Sequence, residues 1–258
     1  MKRVPVTPDL TEIPAEFHPL FANCTVYDSS CSPEARVYYI EKDGGLFLKC
    51  SGKGTLATEA RMSAAFCRYG MGTEMLAYLS AERDFLLTAR AEGEDCTHAQ
   101  YTDDPCRLTD TLAALLRTLH ETEMPDCPVK NRTAAYLATV EEGYRIGRFD
   151  PSYAHRSVTA EEAYRLVCET ASALKCDTLL HGDYCLPNII LNNWNFSAFI
   201  DLGNAGMGDR HIDLYWGAWT LAFNLGTDRY RDRFFDAYGR EKVDPELIKL
   251  IGYAETFG

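Results

Sequence analysis

No stretch of eighteen apolar residues occurs in this chain, which excludes a membrane-spanning helix. No internal repeat or low-complexity tract occurs either, so solenoid and linker architectures are set aside. Ten cysteines are present without a single C-x-x-C pair, which argues against a zinc site, and the chain is long for a secreted disulfide framework. Behind the start, MKRVPVTPDLTEIP, there is no apolar core of signal-peptide length. The protein is therefore expected in the cytosol, with its cysteines read as small, buried, reduced residues and no metal assigned to them. Positive charge is scarce, with 26 bases against 38 acids and a net charge of −12. Such a surface repels nucleic acid and anionic membranes, so neither is an expected partner; it favours a cationic ligand or only keeps the protein soluble, and charge alone does not decide between them.

What is present is ordinary globular material: 258 residues, 46% hydrophobic and 25% charged, long enough for one unit of two lobes. Residues 37–49, VYYIEKDGGLFLK, alternate around Asp43-Gly44-Gly45 and predict a hairpin. Residues 56–69 predict a helix closed by Gly70 and Gly72, and strands follow at 75–80 and 84–88. From residue 108 the pattern turns helical, with Leu112, Leu115, Leu116 and Leu119 on one face. Thr159-Ala160-Glu161-Glu162 forms a capping box for a helix to about Ala173, and Asp244-Pro245-Glu246 opens a last helix. One strand-like island interrupts these helices at 186–203. The expected fold class is α+β, a small β-rich N-lobe over residues 1–91 and a helical C-lobe over 92–258.

The chemistry concentrates in LLHGDYCLPNIILNNWNFSAFIDLG. Phosphoryl transfer needs a carboxylate to orient the attacking hydroxyl and take its proton, plus an amide and a second carboxylate to hold Mg²⁺ on the phosphates. Kinase catalytic loops separate the base Asp from the metal-binding Asn by five residues, and Asp183 precedes Asn188 by that interval. Two short strands then return the chain to Asp201-Leu202-Gly203, where a metal-binding Asp is expected. Each match alone is a common turn; their order and spacing make the signal.

His181-Gly182-Asp183, Cys185-Leu186-Pro187-Asn188 and Phe199-Ile200-Asp201-Leu202-Gly203 resemble the bacterial aminoglycoside 3′-phosphotransferases. The likeness extends through Ser32-Pro33-Glu34-Ala35-Arg36, Leu46-Phe47-Leu48-Lys49, Leu116-Arg117-Thr118-Leu119-His120 and Asp209-Arg210-His211-Ile212-Asp213. It implies a protein-kinase-like bilobal fold binding ATP and Mg²⁺, with Asp183 as the catalytic carboxylate and Asn188 and Asp201 on the metal. Lys49 would meet the α- and β-phosphates, steadied by Glu59 on the following helix, with Glu74 as the rival acid. The backbone around Cys31 and Ser32 would cover the phosphates, and that of Ala89 and Ala91 would clamp the adenine.

On the acceptor side the resemblance implies roles for Glu255 and Phe257 near the C-terminus and for an insert spanning 145–160. That insert holds Asp150 as its one acid against three arginines and His155. Asn204 stands where the family commonly has Arg, and Trp216, Trp219 and Phe223 stand where charge is common; these aromatics are read as core. The expected activity is transfer of the γ-phosphate of ATP to an aminoglycoside hydroxyl. The alternatives are a kinase of another hydroxylated metabolite or antibiotic (choline, a macrolide, a sugar), or a nucleotide-binding module without catalysis.

Overall fold

Asp43, Gly44 and Gly45 hold φ of 52°, 86° and 103°, a left-handed conformation that glycine accepts freely and aspartate tolerates. They reverse the chain between strands paired from Ala35↔Ser51 to Ile40↔Leu46. The computed structural model describes residues 3–258. In chain order its elements begin with β1 (Val4–Pro5), β2 (Val26–Asp28), β3 (Ala35–Ile40), β4 (Leu46–Gly52) and α1 (Ala57–Arg68). Then come β5 (Met75–Ser80), β6 (Arg83–Ala89), β7 (Glu94–Asp95), α2 (Ala99–Thr102), α3 (Pro105–Glu121), α4 (Arg132–Arg145) and α5 (Ala160–Thr170). The remainder are β8 (Thr178–Leu180), β9 (Ile189–Asn192), β10 (Asn195–Phe199), β11 (Gly206–Gly208), α6 (His211–Leu225), α7 (Arg231–Tyr238) and α8 (Pro245–Glu255).

The chain divides into two compact units, Met1–Asp95 with Ile189–Gly203, and Cys96–Asn188 with Asn204–Gly258. The single cut after residue 91 expected from the sequence is replaced by this interleaved division. Strand pairing supplies the reason: Glu94↔Leu191 and Asp95↔Ile190 join β7 to β9 and bring residues 92–95 and the 189–203 hairpin into the first unit.

The first unit is a six-stranded antiparallel sheet in the order β1-β2-β3-β4-β6-β5, with a second sheet ordered β10-β9-β7. Successive side chains of a strand point to opposite faces. Leu46, Leu48 and Cys50 of β4 join Phe85 and Leu87 of β6 in one core with Ile13, Phe17 and Ile40. Leu86 faces the other way, onto Leu56 and Ala60 at the start of α1. Lys49 pairs with Leu86 and alternates with Leu48 and Cys50, so its side chain is sent to the face that α1 covers. Asp84, fully buried, holds that helix start by accepting from the Leu56 N–H at 2.9 Å, and it also accepts from Tyr78 Oη and Ser80 Oγ.

The second unit is mainly helical, with one two-stranded sheet, β11-β8. The expected caps are made. Asp104 accepts from Arg107 N–H with Pro105 at the first turn of α3, Thr159 Oγ1 accepts from Glu162 N–H, and Asp244 accepts from Glu246 N–H. α5 ends at Thr170 and tightens into a 3₁₀ turn over Ala171–Ala173. Leu112, Leu116 and Leu119 are fully buried on α3. Val140, Val167, Leu180, Ile212, Ile251 and Phe257 belong to the core gathered around α4, α5, α6 and α8.

All ten cysteines are free. Their expected burial is corrected: Cys50, Cys96 and Cys127 are buried, whereas Cys31, Cys106, Cys168 and Cys176 are exposed. No helix among the described residues is long and apolar enough to cross a membrane.

Candidate active site

In the first unit the strand alternation that turns Lys49 toward α1 brings its ammonium to 2.8 Å from Glu59 Oε2. Asp201 Oδ1 lies 2.6 Å away on the other side. Burial opposes the charged form of Lys49, but the Asp201 and Glu59 carboxylates outweigh it and push the pKa up to about 12. The lysine is thus a fixed cation. Burial pushes the Glu59 carboxyl up from its ordinary value, with Lys49 pulling against it and Asp201 adding to the push. Glu74 is exposed at the mouth of β5. Of the two candidate acids, the lysine's partner is Glu59.

Asp201 follows β10 at φ 59°, a left-handed conformation that a short polar side chain can adopt. The hairpin carrying it is anchored within the same unit, since Phe199 N–H donates to the Met71 carbonyl at 2.8 Å. Ser32 is exposed in the turn between β2 and β3. Ala89 N–H is already donated to the Glu74 carbonyl at 2.9 Å, so only its carbonyl could meet a base; Ala91 follows two residues on, outside the strand.

In the second unit the catalytic-loop candidates are held as a rigid turn. Asn188 Nδ2 donates to Asp183 Oδ2 at 2.9 Å and to the Asp183 carbonyl at 3.1 Å. That double contact orients the carboxylate and leaves Asn188 Oδ1 as an oxygen donor for a cation. Gly182 sits at φ +82°, and a Cβ there would lie 1.8 Å from the Asn204 carbonyl oxygen. The His-Gly-Asp turn therefore requires glycine at its centre.

Asp213 is the residue that the sequence reading did not single out. Fully buried on α6, it accepts from His181 N–H through Oδ2 and from Gly182 N–H through Oδ1, both at 2.7 Å. Its Oδ2 also accepts from His120 Nε2 at 3.1 Å, while His120 Nδ1 meets Tyr238 Oη at 2.8 Å. Burial holds His120 below its usual pKa despite the neighbouring Asp213, so the ring stays neutral. The signal in the sequence was the position of Asp213 at the end of the quoted 209–213 stretch. Its role needed the fold.

Glu255 is 8% exposed, and its Oε1 accepts from Tyr136 Oη at 2.9 Å and Trp216 Nε1 at 3.0 Å. Burial pushes its carboxyl up to about 7, against the pull of those two hydrogen bonds; the Asp183 charge adds to the rise and Arg132 opposes it. Arg132 also donates to Asn204 Oδ1, which brings a guanidinium to the side chain standing where the family commonly has Arg.

One acceptor-side expectation is corrected. Phe257 is fully buried, its ring among Tyr144, Phe149 and Tyr164, so it is a core residue with no surface for a substrate. Asp150 is exposed, but its carboxylate accepts from Ser152 N–H at 2.9 Å and caps a 3₁₀ turn. The reading of these aromatics as core holds for Trp216, which packs half-buried against the core of the second unit, and fails for Phe223, which is 70% exposed; Trp219 is half-buried.

Among the described residues no group of three or more His, Cys, Asp or Glu side chains could hold a metal. A magnesium site needs less, since Mg²⁺ is commonly bound by one or two carboxylates together with substrate phosphates. The Asp201 carboxylate and the Asn188 carbonyl oxygen are hard donors of the kind that ion takes.

Comparison with known proteins finds relatives in sequence and in fold. A family model described as the phosphotransferase enzyme family matches residues 34–250. A probable aminoglycoside 3′-phosphotransferase of Lactococcus lactis subsp. lactis is 47% identical over 253 residues, 97% of each chain. Among solved structures, an aminoglycoside-3′-phosphotransferase of type VIII matches with a TM-score of 0.76 at 21% identity, over 94% of this chain and 97% of its own. An aminoglycoside phosphotransferase of Streptomyces rimosus, in complex with ADP and streptomycin, matches with a TM-score of 0.68 at 24% identity, over 86% and 91%. The fold is the kinase-like α+β fold expected from the sequence.

Proposed function

This chain belongs to the phosphotransferase enzyme family, and from that premise we propose that it transfers the γ-phosphate of ATP to the 3′-hydroxyl of an aminoglycoside. The observation that carries the reading is the Lys49 ammonium held by Glu59 and Asp201, residues 10 and 152 positions away along the chain. A fixed cation between two carboxylates, one of them free to turn to a metal, is a phosphate-binding arrangement. The relative at 47% identity, named for this activity, supports the same substrate class.

In this mechanism Asp183 does the proton work. Asn188 occupies Oδ2 of that carboxylate, so the acceptor hydroxyl donates to Oδ1, which takes the proton as the hydroxyl oxygen bonds to phosphorus. The bond from phosphorus to the β–γ bridging oxygen breaks, and ADP leaves. Lys49 meets the α- and β-phosphates while Glu59 keeps it aimed. Asn188 Oδ1 and the Asp201 carboxylate are the oxygens that would serve as ligands to Mg²⁺, which would supply charge neutralisation on the phosphates. Backbone groups of Ser32 would cover the phosphates, and those of Ala89 and Ala91 would meet the adenine. Glu255 supplies the buried carboxylate for an acceptor ammonium. No described helix spans a membrane, and the net charge of −12 suits a polycationic substrate.

The test is a coupled ADP-release assay with kanamycin, neomycin, choline, a macrolide and water as acceptors. Kanamycin and neomycin should stimulate release over water, and Asp183→Ala should reduce kcat by at least about a hundredfold while ATP still binds. If neither aminoglycoside stimulates ADP release, the substrate assignment fails. Near-normal turnover by Asp183→Ala would remove the mechanism.

A further inference from the structure

Arg132 opens α4 directly after its cap, where Asn131 Oδ1 accepts from Ala134 N–H at 2.9 Å. Tyr136 lies one turn further along the same face, and its Oη donates to Glu255. Arg132 itself is half-buried and donates to Asn204 Oδ1, a neutral oxygen. Among the described residues no carboxylate stands within ion-pair distance of it. The exposed arginines Arg145, Arg165 and Arg233, by contrast, each meet a carboxylate within 2.8 Å. Burial pulls the Arg132 guanidinium below its ordinary pKa, with Tyr136, Glu255 and Asp213 pulling the other way. A guanidinium keeps its charge inside a protein, so the second unit holds a poorly solvated cation with no counter-ion in contact.

That cation is set against the loop that bears Asp183. The Asn204 carbonyl oxygen packs on Gly182, so the residue that receives Arg132 also braces the His-Gly-Asp turn. The Glu255 carboxyl feels the charges of both Asp183 and Arg132. A polycationic acceptor has no use for a guanidinium here, since its own ammonium groups are repelled by one. Of the species that come to Asp183 in the proposed reaction, the phosphoryl group in transfer is the anion. The planar fork of a guanidinium suits phosphoryl oxygens, and a half-buried position makes that contact stronger than it would be in water.

We propose that Arg132, seated on Asn204, is a further catalytic residue whose remaining N–H groups receive the oxygens of the phosphoryl group as it passes to the acceptor. This rests on the function proposed above and adds to it a cation supplied by the second unit. The acceptor oxygen bonds to phosphorus, its proton goes to Asp183, and the bond from phosphorus to the β–γ bridging oxygen breaks. ADP leaves with that electron pair. Arg132 offsets the charge on the three equatorial oxygens while this happens. Asn204 Oδ1 fixes one N–H of the fork and leaves the others free for the phosphoryl group. Asn204, standing where the family commonly has Arg, thereby becomes the seat of an arginine that arrives from α4.

The test uses the full chain. Arg132→Gln removes the charge and retains an amide N–H for Asn204. It should lower kcat with kanamycin about a hundredfold, the scale of one lost transition-state donor. Kd for ATP by calorimetry should stay within about twofold, and KM for kanamycin should not rise. Arg132→Lys keeps the charge without the fork and should lose about tenfold in kcat. Adding Asn204→Arg to Arg132→Gln returns a guanidinium to the same place and should recover about tenfold or more. A kcat within about twofold of wild type in Arg132→Gln overturns the assignment. A raised KM for kanamycin at unchanged kcat overturns it too, since Arg132 would then hold the acceptor. So does a double variant that binds ATP normally and recovers nothing. If wild type phosphorylates no aminoglycoside, the acceptor assignment fails, and ADP release with water as acceptor decides the role of Arg132, because hydrolysis passes the same group. Arg132→Gln should slow that release about a hundredfold, and equal rates in the two proteins overturn the role. A wild type that releases no ADP even to water transfers no phosphoryl group, and both readings fall.

Discussion

Replacing Glu255 with glutamine should make the protein more stable and the enzyme poorer. The carboxyl is 8% exposed, and both its observed hydrogen bonds fall on one oxygen, which glutamine's carbonyl can reproduce. Burial raises its pKa from the ordinary 4.5 to about 7. At about 1.4 kcal/mol per pH unit, keeping this group charged costs ~3 kcal/mol of folding stability. Between those two values the folded protein retains a proton that the unfolded chain releases, so stability falls as pH rises through the window. Glutamine has no such penalty. The two proteins should melt together near pH 4.5 and diverge as pH rises. By pH 8 the variant should lead by roughly 6–12 °C, taking about 2–4 °C per kcal/mol for a chain of this size. Scanning calorimetry at pH 5, 6, 7 and 8 reads this directly. The same substitution should raise KM for kanamycin by about tenfold or more, since a charged acceptor of the ammonium is lost. Parallel melting profiles for the two proteins across that range would refute the burial argument. Such a trade of stability for binding is common where a site holds a charge in a poorly solvated place.

Two further substitutions test the catalytic loop. Asp213→Asn leaves one oxygen to meet three donors and turns an amide N–H toward one of them. It should cost ~2–3 kcal/mol in urea unfolding and reduce kcat at least tenfold, with Kd for ATP by calorimetry within about twofold. Gly182→Ala puts a methyl 1.8 Å from the Asn204 carbonyl at a positive φ. It should lower stability by about 2 kcal/mol or more and depress kcat, measured by thermal melting and the ADP-release assay, and a wild-type Tm would show that the turn is softer than its geometry.

The legible parts of this chain were those written in local chemistry. The Asp43–Gly45 turn, the Thr159 and Asp244 caps and the five-residue step from Asp183 to Asn188 each depend on neighbours in sequence, and the fold contains them. Lys49 and Glu59 could be paired in advance because they lie on one strand and the helix that directly follows it. Other features depended on distant backbone. Asp213 looked like one acid in a helix until His181 and Gly182 turned their N–H groups toward it. Phe257 occupied a position that suggested a substrate contact, yet three aromatic rings from α4, α5 and the insert enclose it. The aromatic face of α6 deceived in the opposite direction. Apolar residues at helical spacing normally mark a core, and periodicity has no means of reporting that Phe223 points outward.

The hairpin that completes the first unit has a consequence for biosynthesis. Lys49 and Glu59 are both made within the first 95 residues, but their third companion, Asp201, leaves the ribosome only after the helices α2 to α5. A nascent chain stopped between residues 96 and 188 therefore holds the lysine and one acid, with β7 lacking the strand it pairs with. The first unit cannot be finished as an independent early module, because its last strands arrive after helices α2 to α5 of the other unit have been synthesised.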